Sequence, residues 1–308
     1  MYEITLTEFD LPSIMNSGQV FRIRPYLEEP NTYLVAAGTK AVCIRPGESS
    51  KDGRKRSFLF SCTKEAFDGF WREYFDLNTD YGAILNSIDP GDSYLQAAAK
   101  YGRGIRILKQ DLWETIISFL ISQNNNIIRI RRSIEALCER FGDRTEIDGA
   151  LSVFSFPTPE ALCCEGLPGL SGLGLGYRDK YILSMAEYCS SKEGKCWLER
   201  LKGCSYEEAV PLLLQRFGIG RKVADCICLF TLHHIGAFPI DTHIRQILDA
   251  HYPNGFPFSR YEGFAGILQQ YLFYYKQSGP KEKAAMESAS ASDSKRLSSL
   301  ESPAVQRR

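Results

Sequence analysis

The chain has 308 residues, 44% of them hydrophobic, with 37 basic and 37 acidic side chains and no formal net charge. That length holds one large domain or two modest ones, and the apolar content is that of a globular protein. A surface coated in positive charge is excluded, whereas a focused basic patch is not. No apolar run reaches membrane-spanning length, and Met1-Tyr2-Glu3-Ile4 is not the basic-then-apolar start of a signal peptide. The expected location is the cytoplasm, away from any membrane. The ten cysteines show no Cys-x-x-Cys spacing, so they read as thiols rather than as a zinc or redox site.

Residues 1–105 are mixed in pattern. The segment 32–45 is rich in β-formers, and 57–63 reads as another strand. Residues 64–77 form an amphipathic helix with Phe67, Phe70, Trp71, Tyr74 and Phe75 on its apolar side. Asp89-Pro90-Gly91-Asp92 is a turn, and Asp92 can cap the helix after it. Asn16-Ser17-Gly18-Gln19-Val20-Phe21-Arg22, taken alone, is a turn as well.

From residue 106 the pattern is helical. A buried helix covers 115–121, Ser122-Gln123-Asn124-Asn125-Asn126 interrupts it, and a second helix covers 127–141. Consecutive asparagines are poor helix formers, so the plain reading is a helix end and the next cap. A loop and a short helix capped at Thr158-Pro159 follow. Gly172-Leu173-Gly174-Leu175-Gly176-Tyr177-Arg178 then precedes a helix running to about Ser190. The last helix is placed at 255–276. Residues 277–308, rich in serine and without aromatics, read as a disordered tail.

Between these lies Arg216-Phe217-Gly218-Ile219-Gly220-Arg221-Lys222-Val223-Ala224-Asp225-Cys226. An apolar stretch precedes it, with Ser205 and Glu208 spaced as a capping box and Pro211 placed to kink or restart the helix. Val223, Cys226, Ile227 and Phe230 then recur at helical spacing, so the segment is a helical hairpin. Gly218 and Gly220 can take backbone angles closed to other residues, and Ile219 can plug the turn into the core. The free N–H groups of the second helix make an anion site, and nucleic-acid phosphate is an anion. An ordinary tight turn between helices is the plain alternative.

Lys222 in the first turn of that second helix, followed by Phe238-Pro239-Ile240-Asp241-Thr242-His243, resembles the helix-hairpin-helix DNA glycosylase superfamily. There the hairpin is followed by a catalytic aspartate after a Pro-x-Asp turn, and lyase-competent members carry a lysine at the place of Lys222. Three further stretches resemble the 8-oxoguanine DNA glycosylases within it: Ser17-Gly18-Gln19-Val20-Phe21-Arg22, Asn124-Asn125-Asn126-Ile127-Ile128-Arg129-Ile130, and Leu173-Gly174-Leu175-Gly176-Tyr177-Arg178. By this resemblance the Gly18 carbonyl senses the N7–H that only the oxidised base carries. Asn124 fills the space left by the extruded base, Arg129 and Arg178 contact the opposite cytosine, and Tyr177 wedges into the stack. Gln269 and Phe273, four apart on one helix face, read and stack on the base, opposite Cys226. His243, with the glycines 218 and 220 of the hairpin, meets the phosphates. Leu112 departs from the family, which often has proline there.

The resemblance covers roughly residues 10–275 and implies an α+β fold. An N-terminal antiparallel β-sheet domain with helices over 1–105 would precede an all-α helix-hairpin-helix glycosylase domain over 106–276. The partner implied is double-stranded DNA containing 8-oxoguanine, met by a monomer in the nucleoid or nucleus. No cofactor is implied, beyond room for a monovalent cation or calcium at the hairpin carbonyls. No cysteine follows Cys228, so the iron–sulfur cluster of some relatives is not built here, and His233, His234 and His251 do not have metal-site spacing.

The chemistry expected is base flipping, cleavage of the glycosidic bond, and strand cleavage at the abasic site. Lys222 would attack C1′ as the free amine, the form favoured by burial and by a helix N-terminus. Asp241 would steady the cationic sugar, besides capping the helix that follows it. Two rivals stand beside this reading. One is a glycosylase for alkylated bases, which needs no carbonyl sensor. The other is a non-catalytic DNA-binding hairpin protein, which needs neither Lys222 nor Asp241.

Overall fold

The computed structural model describes residues 1–50, 55–147 and 151–280. The predicted tail lies outside these from residue 281 onward, and its first residues still belong to the last helix. Among the described residues no helix is long and apolar enough to cross a membrane.

The chain opens with β1 (Tyr2–Thr7), α1 (Leu11–Asn16), β2 (Ile23–Pro25), β3 (Tyr33–Ala37), β4 (Lys40–Ser49) and β5 (Lys55–Phe60). These strands make one antiparallel sheet in the order β1-β5-β4-β3-β2. The sequence reading passed over β1, although Tyr2, Ile4 and Leu6 alternate with Glu3, Thr5 and Thr7 and share the intermediate exposure of a half-covered face. β3 is buried on both faces. Val35 and Ala37 join Val42, Ile44, Phe58 and Phe60 in the sheet's core, while Leu34 and Ala36 face Val153 on the other side.

The aromatic segment predicted as one helix over 64–77 is α2 (Lys64–Ala66), a π-helical turn (Phe67–Trp71) and α3 (Arg72–Tyr74). The wider turn lets Phe67, Trp71 and Phe75 all enter the sheet's core, with Phe60 and Phe67 ring centroids 4.8 Å apart. Asp76 in the left-handed region (φ 50°) ends the helix earlier than expected.

Next come α4 (Tyr81–Asn86), α5 (Ser93–Tyr101), α6 (Leu112–Ser122) and α7 (Ile127–Phe141). Asp92 caps α5 as expected. Asp111 caps α6, accepting from Glu114 N at 2.8 Å, so Leu112 in place of proline leaves the helix start intact. A hairpin of β6 (Arg144–Ile147) and β7 (Leu151–Phe154), absent from the sequence reading, follows α7. Its end is tied to the first sheet, where Phe156 N donates to Gly38 O at 2.9 Å. Glu114 of α6 does the same from below: it accepts from Gly38 N at 2.7 Å and pairs with buried Arg22 at 3.5 Å.

The remaining helices are α8 (Pro159–Cys163), α9 (Gly166–Leu170), α10 (Asp179–Ser190), α11 (Lys192–Lys202), α12 (Tyr206–Leu214), α13 (Arg221–Phe230), α14 (Thr242–His251) and α15 (Ala265–Ser278). α12 runs unbroken through Pro211, which neither ends nor restarts it and removes one backbone donor. The last helix begins ten residues later than predicted, at Ala265. Before it lie a 3-10 turn (Phe258–Tyr261) and Gly263 at φ 83°, a conformation that a continuing helix excludes. α6 and α13 pack together at the centre of the helical core, and α15 packs against α5 and α14. That packing brings the start of α13, the turn before α14 and the middle of α15 to one place, under the loop after α1.

Candidate active site

α12 begins with both halves of the Ser205/Glu208 capping box in place. The hairpin turn then uses its two glycines differently. Gly218 sits at φ 85°, and a Cβ there would lie 2.6 Å from the Tyr181 ring, so both conformation and space demand glycine. Gly220 has ordinary extended angles (φ −92°, ψ 176°), so of the two glycines only Gly218 uses the backbone freedom open to both. Nothing lies within 4 Å of the position its Cβ would take. Without a side chain it leaves the N-terminus of α13 uncovered, and free N–H groups and the helix dipole favour an anion at such an end. Ile219 is buried between them as expected. Gln123 Nε2 donates to Gly218 O at 3.0 Å, tying the hairpin to the end of α6.

α13 places half-buried Lys222 in its first turn and buried Cys226 one turn on, on the same side. The Lys222 Nζ stands 5.3 Å from the centroid of the Phe119 ring, itself stacked on Phe230 at 5.5 Å. Burial pushes the Cys226 thiol up to about 11, and neighbouring Lys222 works in the other direction. The thiol is therefore a neutral, polarisable wall at physiological pH.

Asp241 is the N-cap of α14, and its carboxylate accepts from Ile244 N at 2.8 Å. The second oxygen is free of that bond, so capping and a role in the pocket coexist. Gln269 on α15 is 4% exposed and donates to Pro239 O at 2.9 Å, while its Oε1 is buried without a partner. A buried, unpaired acceptor is costly, and the Gln269 Oε1 is left able to accept from a further donor. Phe273 lies one turn further on, its ring against Gly18 (φ 77°).

Gly18, Lys222, Cys226, Asp241, Gln269 and Phe273 line one cavity of about 50 Å³, with Phe119 and Phe230 completing its apolar wall. It opens into a cleft of about 500 Å³ bordered by Asn125, Asn126, Ile128 and His243. The inner volume is well below that of a usual ligand pocket, and the Phe273 ring is packed against Gly18 beside it.

Of the residues expected to meet DNA, His243 borders that cleft, and the others differ in how they are presented. Tyr177 is 51% exposed in a 3-10 turn (Gly176–Arg178) that follows Gly172 and Gly174, and all three glycines have positive φ. Asn124 is exposed and left-handed (φ 47°), a conformation asparagine tolerates, while Asn126 caps α7 by accepting from Arg129 N at 3.0 Å. Arg129 and His243 are exposed. Arg178 departs from the expectation. Only 8% exposed, its guanidinium donates to Gln123 O at 2.8 Å, Leu175 O at 3.0 Å and Asn124 O at 2.9 Å. With its donors committed to carbonyls, it holds the Asn124 loop in place rather than standing free towards DNA.

Two residues of the pocket wall and one exposed ring were not singled out from sequence. Phe119 and Phe230 belong to helices buried along most of their length, so nothing in the pattern distinguishes them from core. Phe217 is 60% exposed at the hairpin tip, its ring 4.7 Å from Tyr181. An aromatic between Arg216 and Gly218, in a turn too short to bury it, was the available signal.

Both parts of the chain have counterparts among known proteins. Residues 1–116 match the 8-oxoguanine DNA glycosylase N-terminal domain family. Residues 117–255 match the HhH-GPD superfamily of base excision DNA repair proteins. The chain is 38% identical to the N-glycosylase/DNA lyase of Saccharomyces cerevisiae, across 81% of this chain and 70% of that protein. Its fold is similar to that of MBOgg1 in complex with a low-affinity DNA ligand, with a TM-score of 0.80 and 32% identity over 91% of this chain and 96% of the other. It is also similar to the Clostridium acetobutylicum 8-oxoguanine glycosylase/lyase bound to double-stranded DNA with cytosine opposite 8-oxoguanine. There the TM-score is 0.77 and the identity 31%, over 88% and 92% of the two chains. A β-sheet domain joined to a hairpin whose Lys222 and Asp241 share one pocket thus has its place among known proteins: the chain belongs to the 8-oxoguanine DNA glycosylase/lyase family of the helix-hairpin-helix superfamily.

Proposed function

We propose that this chain, acting as a monomer, excises 8-oxoguanine lying opposite cytosine in duplex DNA and then cleaves the strand by β-elimination through a Schiff base on Lys222. One observation carries the reading. Gly18, Lys222, Asp241 and Gln269, far apart in sequence, line a single cavity.

The nucleotide is turned out of the stack, with Tyr177 wedged beside the gap, Asn124 in the vacated space and Arg129 on the orphaned cytosine. The open end of α13 and His243 hold the backbone phosphates. In the pocket, Gly18 C=O accepts from the N7–H of the oxidised base, and Gln269 pairs with its Watson–Crick edge. Phe273 and Cys226 take its two faces. The N9–C1′ bond then breaks, and its electron pair leaves with the base, which takes up a proton. The Lys222 amine forms a bond to C1′, and Asp241 faces the positive charge on the sugar. Opening of the C1′–O4′ bond and loss of the amine proton give the imine. Loss of a C2′ proton expels the 3′ phosphate, and water later frees the lysine.

Borohydride trapping tests this on a duplex with one 8-oxoguanine opposite cytosine, using wild type and Lys222→Gln. A covalent adduct with wild type alone is the expected result. Free base without an adduct would make the enzyme monofunctional and Lys222 a DNA contact. Neither base nor adduct would overturn the substrate assignment in favour of another lesion.

A further inference from the structure

Helix α15 carries two adjacent glutamines in an otherwise apolar stretch, Ile267-Leu268-Gln269-Gln270-Tyr271-Leu272. Both are buried, at 4% and 2% exposure. Successive residues of a helix point about 100° apart, so the two side chains serve different targets. Gln269 reaches the carbonyl of Pro239, beside the catalytic turn. Gln270 reaches the other way, and its Nε2 donates to the carbonyl of Ser17, the peptide that enters Gly18.

Glycine imposes little direction of its own on the peptides around it. At Gly18 that freedom is removed from outside. Ser17 O is held by Gln270; Ser17 Oγ donates to Ile14 O at 2.7 Å and accepts from Gln19 Nε2 at 2.9 Å. After the glycine, Gln19 O accepts from Gln110 Nε2 at 2.8 Å, and Gln19 Oε1 accepts from Leu108 N at 2.9 Å. The carbonyls on either side of Gly18 are thus pinned, and among the described residues no hydrogen bond ends on that of Gly18 itself. A carbonyl held in direction and kept clear of protein donors is pre-organised to accept from a ligand.

We propose that Gln270 is a positioning residue for lesion recognition: by anchoring the Ser17 carbonyl it sets the direction of the Gly18 carbonyl. The inference rests on the reading of Gly18 as the sensor of N7–H. One helix then couples both halves of the pocket, Gln269 to the catalytic turn and Gln270 to the recognition loop.

The test compares wild type with Gln270→Met, which keeps length and volume but has no donor. Three duplexes are used: one with 8-oxoguanine, one with its 7-deaza analogue, which lacks the N7–H, and one with a preformed abasic site. For wild type, excision of the 7-deaza analogue should be slower than that of 8-oxoguanine. In Gln270→Met, excision of 8-oxoguanine should fall about 10- to 100-fold, as expected for a buried acceptor left unpaired. The 7-deaza analogue should lose little more, because both changes remove the same interaction. Cleavage of the abasic site needs no base recognition and should stay within about twofold. Additive losses on the two bases, or equal losses on all three duplexes, would make Gln270 a structural strut and overturn the proposal. Gln270→His, which keeps a donor at similar reach, should lie closer to wild type; if it behaves as the methionine variant does, the proposal fails even where that variant folds poorly. Wild type that cleaves the abasic duplex but ignores N7–H would instead overturn the assignment of Gly18.

Discussion

Gly18 and Phe273 touch across the two halves of the chain: a Cβ on the glycine would lie 2.9 Å from Phe273 Cε1. The glycine also holds φ 77°. Gly18→Ala therefore meets a ring at close range and a backbone conformation that costs about 1–2 kcal/mol with a side chain. Excision of 8-oxoguanine should fall at least about 100-fold, because the proposed sensor and the proposed stacking ring are displaced together. Cleavage of a preformed abasic site should survive. Single-turnover rates on the two substrates decide it; equal loss on both would point to general unfolding.

Asp241 combines a cap with a pocket position, and Asp241→Asn separates them. Asparagine caps a helix as well as aspartate, so thermal stability should change by less than about 1 kcal/mol. The charge facing the sugar is lost, and base excision should drop by about 100- to 1000-fold. A melting curve beside a single-turnover assay reads both. Unchanged excision would leave Asp241 as a cap only.

Asp76 joins the two parts of the fold, with His233 Nε2 at 3.3 Å and hydrogen bonds from Thr79 at 2.8 Å and Tyr81 at 3.0 Å. Burial works to raise its pKa, but the bonds from His233, Thr79 and Tyr81 prevail and hold it below the ordinary carboxylate value. A depressed acid contributes stability that is present above its unfolded pKa and lost as pH falls through the folded one. Asp76→Asn tolerates the same left-handed backbone (φ 50°), so it isolates the charge. It should cost about 1–3 kcal/mol at pH 7, and the gap from wild type should begin to narrow only below about pH 4. Denaturant unfolding from pH 7 to 3 checks this; a gap constant with pH would show that the charge contributes nothing.

Phe217 is an exposed ring beside the open end of α13. Removing it should leave stability nearly unchanged, since it covers little besides Tyr181. If the hairpin lies against the DNA backbone, Phe217→Ala should weaken binding to abasic DNA by about 3- to 10-fold, while the dependence on salt stays as in wild type, because no phosphate contact is lost. Titrations at several salt concentrations separate the two effects; a changed salt slope would mean that the hairpin itself has moved.

Much of the site was legible because its pieces are local. The Ser205/Glu208 capping box, the Gly-Ile-Gly turn, the cap at Asp241 and the shared face of Gln269 and Phe273 each depend on residues within a turn or two. What escaped was long-range. β1 pairs with β5, as in Tyr2 with Phe60, although β2, β3 and β4 lie between them in the chain, and the π-helical turn at 67–71 answers to the sheet beneath it. The hairpin of β6 and β7 is short, and it has meaning only against Leu34 and Ala36.

By itself, then, the amino-acid sequence determined the helical hairpin, the caps and the order of the motifs, since near neighbours and backbone propensity suffice for those. Tertiary structure alone decided which side chains share a cavity, which glycine needs a left-handed backbone, that Arg178 supports Asn124, and that Gln270 reaches Ser17. Each of these is a contact between distant segments, and a contact is made by the packing of α15, α13 and the loop after α1, which no local pattern contains.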